Sequence, residues 1–277
     1  MRSCATPEPA HRQTNVAGAT RPKLTIGFST LDERYRNITL PPARSDREIL
    51  IIVQHSGDQP MGDVLAALGA AGRGDIRVLE LRSKGVAKSR NVALREAAGE
   101  YLIFADDDIV FSDAGLDEVC AYLDSNPGCD FVLGQATDPA GVLRKKYASR
   151  PERLGLFNSA KAATYEMVVR VDASRRKNVW FDENFGAGAV NYLGDEYIFI
   201  VDLVRAGSLA MFLPLTLAAH PVESSGSRWG TDADLKARAV IFSRVFGWAA
   251  PFVRLAFGFR HWGRKGDLRR WAKFVRG

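Results

Sequence analysis

Three consecutive carboxylates, Asp106, Asp107 and Asp108, follow directly on the apolar run Tyr-Leu-Ile-Phe-Ala that begins at Tyr101. Adjacent anions repel one another, and folding alone gives little reason to gather them. A divalent cation relieves the repulsion. Hard cations such as Mg²⁺ and Mn²⁺ take oxygen ligands and bridge protein carboxylates to substrate phosphates. The same triplet can instead form a solvated acidic turn that caps the next helix, with Asp113 as a further cap. Just upstream, Lys84, Lys88 and Arg90 crowd the start of a predicted helix. Backbone N–H groups at a helix start already favour anions, so cations there oppose the dipole unless a phosphate arrives. The plainer reading is a solvated basic helix. Further on, Asp195 and Glu196 open another predicted helix and His220 precedes Pro221. The acid pair complements a helix dipole in any case; a carboxylate there can also take a proton from a substrate hydroxyl.

The elements that must position these groups read as an α/β alternation. Lys23–Thr30, Glu48–Gln54, Ile76–Leu81 and Tyr101–Phe104 are short apolar runs, the mark of parallel strands covered on both faces. Residues 85–98 carry a narrow apolar stripe at helical spacing, and Gly99 is a natural stop. Strand, helix and strand there form a crossover unit that delivers the chain to the aspartates. Ligands in such sheets bind beyond the carboxyl ends of the strands. Thr30, Glu33 and Gln54 fall at two further strand ends. Residues 114–126 read as a helix and 131–135 as a strand. Residues 138–153 read as a polar, basic loop region, 165–171 as a strand of alternating character, 197–205 as a helix and 209–217 as a last strand. The turn Gly186-Ala187-Gly188 lets the chain pass close to a ligand.

The 277 residues fit one large α/β domain or a domain with an appendage. Cys4, Cys120 and Cys129 form no CxxC pair and no metal pattern with histidine, which favours a reducing compartment and a cytoplasmic location. Residues 1–22 are polar, lack the apolar core of a signal peptide and read as a disordered leader. No uninterrupted apolar run is long enough to span a bilayer. The net charge of +6 is uneven: from Asp232 onward eleven bases face three acids, a net +8, which leaves −2 for residues 1–231. A slightly acidic body argues against nucleic acid as a partner.

Taken in order, four stretches resemble the family 2 nucleotide-sugar glycosyltransferases. They are the first strand into TLDER, then GVAKSRNVALREAAGEYLIFADDDIVF, then FDENFGAGAVNYLGDEYIF, and the strand leading to AAHPVESSG. The resemblance implies an A-type glycosyltransferase fold: a mostly parallel, Rossmann-like sheet flanked by helices over residues 23–231, here with a basic helical extension over 232–277. It implies a nucleotide-diphosphate sugar donor, a saccharide or lipid-linked acceptor, a divalent cation and inversion at the anomeric centre. By the same resemblance Asp108 and His220 hold the metal. Asp106 meets the ribose with Asp107 beside it, and Arg90, helped by Lys88, meets the diphosphate. Thr30, Glu33 and Gln54 contact the nucleotide. Glu196, with Asp195 beside it, is the base. Two departures stand out: the second strand ends in Gln54 where the family often has aspartate, and the late acidic pair is Asp-Glu where the family often has Glu-Asp. Such enzymes often build cell-surface polysaccharide or glycolipid. A sugar-phosphate nucleotidyltransferase would carry a glycine-rich Lys/Arg loop after the first strand, where this chain has STLDER. A non-catalytic membrane-surface scaffold would not need the acids.

The tail alternates apolar faces with bases. Phe242, Val245, Phe246 and Ala249 share one helical face, as do Phe252, Leu255 and Phe259. Arg260–Arg276 adds dense positive charge with Trp262, Trp271 and Phe274. Such a segment suits an interfacial helix on anionic lipid at the inner face of the membrane, at about 1 kcal/mol per basic residue near the surface. Helices packed on the body with solvated basic faces are the competing reading.

Overall fold

The structure is a computed structural model and describes residues 21–57, 62–220, 231–260 and 268–276. The leader through residue 20, Asp58, Pro221 to Gly230 and Trp262 lie outside it. Arg21, counted with the leader from sequence, already joins the body through Asp172, at 2.9 Å, and the Ala98 and Gly99 carbonyls.

The strands are β1 (Leu24–Leu31), β2 (Arg47–Gln54), β3 (Ile76–Leu81), β4 (Tyr101–Ala105), β5 (Val110–Phe111), β6 (Cys129–Thr137), β7 (Glu152–Arg153), β8 (Met167–Arg170) and β9 (Leu209–Ala219). The helices are α1 (Val64–Ala67), α2 (Val86–Glu96), α3 (Asp113–Ser125), α4 (Val171–Arg176), α5 (Asp195–Arg205), α6 (Asp232–Phe246), α7 (Ala250–Arg260) and α8 (Leu268–Arg276). Among the described residues the strands form one sheet in the order β3-β2-β1-β4-β8-β6-β9-β5, with β7 paired to β9. β1 to β4 are mutually parallel, and β6 runs parallel to β9.

Burial follows the two-residue period of a strand covered on both faces. Ile49, Ile51 and Val53 of β2, with Tyr101, Ile103 and Ala105 of β4, face one core shared with Leu116, Val119 and Leu123 of α3. Leu50, Ile52, Leu102 and Phe104 face the other, shared with Ala93 and Leu94 of α2 and Phe199, Ile200 and Leu203 of α5.

The sequence reading of a strand over 165–171 needs correction. Thr164–Glu166 is a single 3-10 turn, the strand is only Met167–Arg170, and α4 begins at Val171. β8 is antiparallel to both β4 and β6. Its start, not its end, therefore lies at the edge where β4 finishes. Because β6 and β9 are parallel to β4, the end of β9 reaches the same edge. Thr164, Asp106 and His220 converge there for that topological reason.

The tail also differs from the sequence reading. Residues Asp232–Arg260 are long and apolar enough, by length and composition, to cross a membrane. The chain does not run straight, however. Gly247, with φ 54° and ψ −127°, breaks the helix. A straight helix would set residues 242 and 257 about 22 Å apart, yet the Phe242 and Phe257 rings lie 5.1 Å apart. α6 and α7 thus form a hairpin, and Phe274 of α8 closes on both rings at 6.1 and 5.9 Å. Phe274 is buried in the tail's own core rather than presented as a lipid anchor. α6 itself packs on the body: Ile241 and Val245 bury against Phe185, Tyr197, Ile198 and Val201. Arg244 reaches Asp182 at 2.9 Å and Asp202 at 2.7 Å.

Candidate active site

Arg90 is the centre of the site. It lies on the inward face of α2 and is buried. Its guanidinium donates to Asp195, to Glu196 at 3.4 Å and to Asp106 at 3.3 Å. The resemblance expected a diphosphate on Arg90. In this structure the group is held instead by three carboxylates, so it neutralises and aligns the acids from two distant parts of the chain. Its neighbour Asn91 pins the segment that runs from α4 to α5: it donates to the Phe181 carbonyl at 3.0 Å and accepts from the Phe181 N–H at 2.8 Å.

The three aspartates divide. Asp106 and Asp108 are half-exposed, whereas Asp107 is buried and turned the other way. Asp107 accepts from the Thr30 hydroxyl at 3.1 Å and from Arg34 at 2.7 Å. Both residues expected at the nucleotide, Thr30 and Asp107, therefore bind each other and hold the end of β1 to the end of β4. Asp108 has an oxygen, Oδ1, that is buried and accepts no hydrogen bond. His220 Nε2 lies 3.4 Å from it. The imidazole stacks on Tyr165 with centroids 5.0 Å apart, and Arg144 grips the His220 carbonyl at 2.9 Å. A buried acceptor without a donor, facing an imidazole at a sheet edge, fits the hard-cation chemistry expected of this pair. Among the described residues no cluster of three or more His, Cys, Asp or Glu forms a cage.

Other expected nucleotide contacts are placed differently. Glu33 is 81% exposed and pairs with Arg36 at 3.5 Å. The Gln54 amide turns inward, donating to Ser83 Oγ and to the Gly85 carbonyl, both at 3.0 Å, and so fixes the approach to α2. The start of α2 is partly closed: the Val86 N–H donates to Ala187 at 2.9 Å, and Gly188 lies against Gly85. The glycine-rich turn thus passes close to the helix start. Lys88, half-buried in the first turn, makes no ion pair among the described residues and stays available to an anion. Sequence reading missed Asp32, whose carboxylate accepts from the Ser56 N–H and hydroxyl at 2.9 and 2.6 Å and joins the ends of β1 and β2.

Gly194, with φ 97°, sits just before α5, whose first two residues are Asp195 and Glu196. Asp195 is buried against Arg90 and Gly186, its side chain 4% exposed; Glu196 remains 23% exposed. The Thr164 hydroxyl donates to Glu196 Oε1 at 2.9 Å. Nothing in the sequence around Thr164 announced this, because the contact depends on the antiparallel insertion of β8. Burial and the neighbouring Glu196 charge raise the Asp195 pKa, with Arg90 opposing. Burial would also raise Glu196, but Arg90 and the hydrogen bonds to it, Thr164 among them, outweigh that and hold it below the usual value. Burial raises Asp106 against the pull of Arg90, and the charges of Glu196 and Asp108 add to the rise. One guanidinium thus serves three carboxylates, with a fourth, Asp108, close by: a site with room for further positive charge.

The sequence pattern of glycosyl transferase family 2 matches residues 31–177. That is more than half of the chain. The protein belongs to glycosyl transferase family 2. It is a glycosyltransferase with the A-type fold, and Asp195, Glu196 and His220 lie beyond the matched stretch, brought to it by the sheet. No curated protein is similar enough to be matched by sequence. Solved structures share the fold. Residues 1–349 of S. aureus TarS in complex with UDP-GlcNAc give a TM-score of 0.62 at 15% identity, over 91% of this chain and 79% of that one. Mannosyltransferase PcManGT from Pyrobaculum calidifontis, in complex with GDP-Man and Mn²⁺, gives 0.55 at 16%, over 93% and 80%. GalNAc-T7 with UDP, GalNAc and Mn²⁺ gives 0.56 at 13%, over 91% of this chain but 53% of that one. Against the longer TarS structure this chain spans 44% of the length.

Proposed function

We propose that this family 2 member transfers a sugar from a nucleotide-diphosphate sugar to a saccharide or lipid-linked hydroxyl, with a divalent cation and inversion, in cell-surface polysaccharide or glycolipid synthesis. The observation that carries the reading is the pairing, at one sheet edge, of the Asp108–His220 couple with the Asp195–Glu196 couple, joined through Arg90 and Asp106. Solved relatives of the same fold hold UDP-GlcNAc, or GDP-Man with Mn²⁺.

In this mechanism Asp106 receives the ribose and Lys88 the diphosphate. Asp108 and His220 would hold Mg²⁺ or Mn²⁺, which when bound supplies positive charge to the departing diphosphate. Glu196, the more exposed acid of its pair and the one kept ionised by Arg90 and Thr164, takes the proton from the acceptor hydroxyl as that oxygen attacks the anomeric carbon. Asp195 holds Arg90, and Arg90 holds Glu196 and Asp106 at a fixed separation. Free cysteines Cys120 and Cys129 suit a reducing, cytoplasmic site of action.

The test is a screen of nucleotide sugars with Mn²⁺, read by mass spectrometry for released nucleotide and glycosylated acceptor, with the product anomer assigned by NMR. Turnover of one donor, lost in excess chelator and in Asp108→Asn, is the expected result. Turnover unaffected by chelator, or retention at the anomeric centre, would overturn the mechanism.

A further inference from the structure

We propose that the hairpin of α6 and α7 is a rigid platform that seats the protein on an anionic lipid bilayer through the outer face of α7. The inference does not depend on the donor or the base. It rests on which tail residues the fold buries and which it turns outward.

Trp248 is 88% exposed and Phe252 67% exposed. Trp248 lies in the short 3-10 turn Gly247–Ala249 that leads into α7 and Phe252 in the first turn of α7, so both stand at the same end of the hairpin. Phe259, also exposed, continues the side of Phe252 toward the end of the helix. Phe157 of the body, exposed as well, stacks on Phe246 at 5.4 Å, immediately before the Gly247 break. A soluble helical hairpin has no packing reason to point its largest aromatic residues at water while Phe242, Phe257 and Phe274 fill its core.

Charge selects the partner. Residues 232–277 carry +8 against −2 for the rest of the chain. Arg260, Lys273 and Arg276 are exposed. α8, which bears the last two, is held against the hairpin by buried Phe274. Aromatic residues at the level of the headgroups, flanked by bases that meet anionic lipid, describe an interfacial helix pair. A second copy meeting this face would bring two +8 tails together. Nucleic acid would call for cations on the aromatic side itself. α6 transmits the docking: it is fastened to the body by Arg244 and by Ile241, which lies against Gly194 at the start of the catalytic helix.

The experiment is flotation of the full chain with vesicles of phosphatidylcholine alone and of phosphatidylcholine with phosphatidylglycerol, at low and high salt. Binding to the anionic vesicles that weakens with salt is expected. Trp248→Ser with Phe252→Ser should weaken it about tenfold. Both sites are exposed, and an unchanged Tm would show that the variant folds. Arg260→Gln, Lys273→Gln and Arg276→Gln together should remove much of the salt-dependent part. No binding at low salt, or equal binding by both variants and the wild type, would overturn the proposal. So would self-association through Trp248 and Phe252, or a DNA-duplex shift that survives their substitution, if vesicles stay unbound.

Discussion

The Thr164 hydroxyl donates to Glu196 Oε1 at 2.9 Å, although the two residues are 32 positions apart in sequence. A hydroxyl that holds one oxygen of a carboxylate leaves the other free to face an acceptor. The bond also favours the ionised form of Glu196. In the proposed mechanism Thr164 is a positioning residue. Thr164→Val should lower kcat about tenfold, the worth of one hydrogen bond to a charged group, and leave donor affinity unchanged. Thr164→Ser should restore most of the rate. An unaltered kcat in the valine variant, or equal loss in valine and serine, would count against the role.

The acid pair makes a sharper prediction. Glu196→Gln should keep donor binding and lose transfer by about 10²–10⁴-fold, since the amide is nearly isosteric and cannot take the proton. Asp195→Asn should be milder. The pH profiles carry the sign. The Asp195 pKa is pushed up to about 7, so near neutrality the pair takes up its first proton there. Glu196, held below its usual value, loses activity only as pH falls further. The wild type should show a shallow inflection near neutrality and a steep acid limb. Asp195→Asn should abolish the first and keep the second near its wild-type position, because Asp195 is already neutral where Glu196 titrates. A near wild-type rate in Glu196→Gln with a dead Asp195→Asn would reverse the two roles.

Much of this arrangement was legible in the sequence, and the gaps have physical causes. The apolar runs marked β1 to β4 because strands buried on both faces need unbroken hydrophobic sequence. The basic helix and the aspartates then followed in order, and Arg90, Asp106, Asp108, Asp195 and Glu196 do meet, as does His220. What sequence could not give was direction. Asp107 reads like its neighbours, and only the fold shows it turned inward to Thr30 and Arg34. Gln54 reads as an open strand end, yet its amide is committed to Ser83 and Gly85. β8 was misread because a four-residue antiparallel strand gives too short a pattern to separate from the turn before it and the helix after it. In the tail, apolar spacing could not tell which aromatic residues face each other. The close approach of Phe242 and Phe257 follows from the Gly247 break, a matter of backbone geometry rather than periodicity.

The division among the aspartates sets the metal-binding role proposed for Asp108 apart from the structural contacts of Asp107. Asp108→Asn and His220→Gln should each weaken Mn²⁺-dependent nucleotide binding by at least the roughly 10–100-fold that losing a supporting partner costs at other metal sites. Titration calorimetry with and without chelator measures this. Asp107→Asn should behave differently: a lower Tm from the disturbed Thr30 and Arg34 contacts, with donor affinity retained once folded. Equal loss of nucleotide affinity in Asp107→Asn and Asp108→Asn would argue that the triplet binds as a unit.

Gly194 links the tail to the chemistry. It adopts φ 97°, a conformation that residues with a Cβ rarely take. A Cβ built there would stand 2.5 Å from Ile241 Cδ1 and 2.6 Å from Cγ1. Gly194→Ala should therefore be destabilising by about 1–3 kcal/mol, from backbone strain and overpacking together. Denaturant unfolding measures that loss. Since Asp195 follows directly, any shift of the backbone that relieves the clash also moves the acid pair relative to Arg90. The variant should accordingly lose kcat under conditions where it is fully folded, while donor affinity, which the proposed function assigns to the end of β4 and the start of α2, changes little. Ile241→Val removes the terminal carbon of the clash. Combined with Gly194→Ala, it should recover part of the lost stability, so that the two changes are less harmful together than their separate effects would add to. Strict additivity of the two, or full activity in Gly194→Ala, would show that α6 does not constrain the start of the catalytic helix.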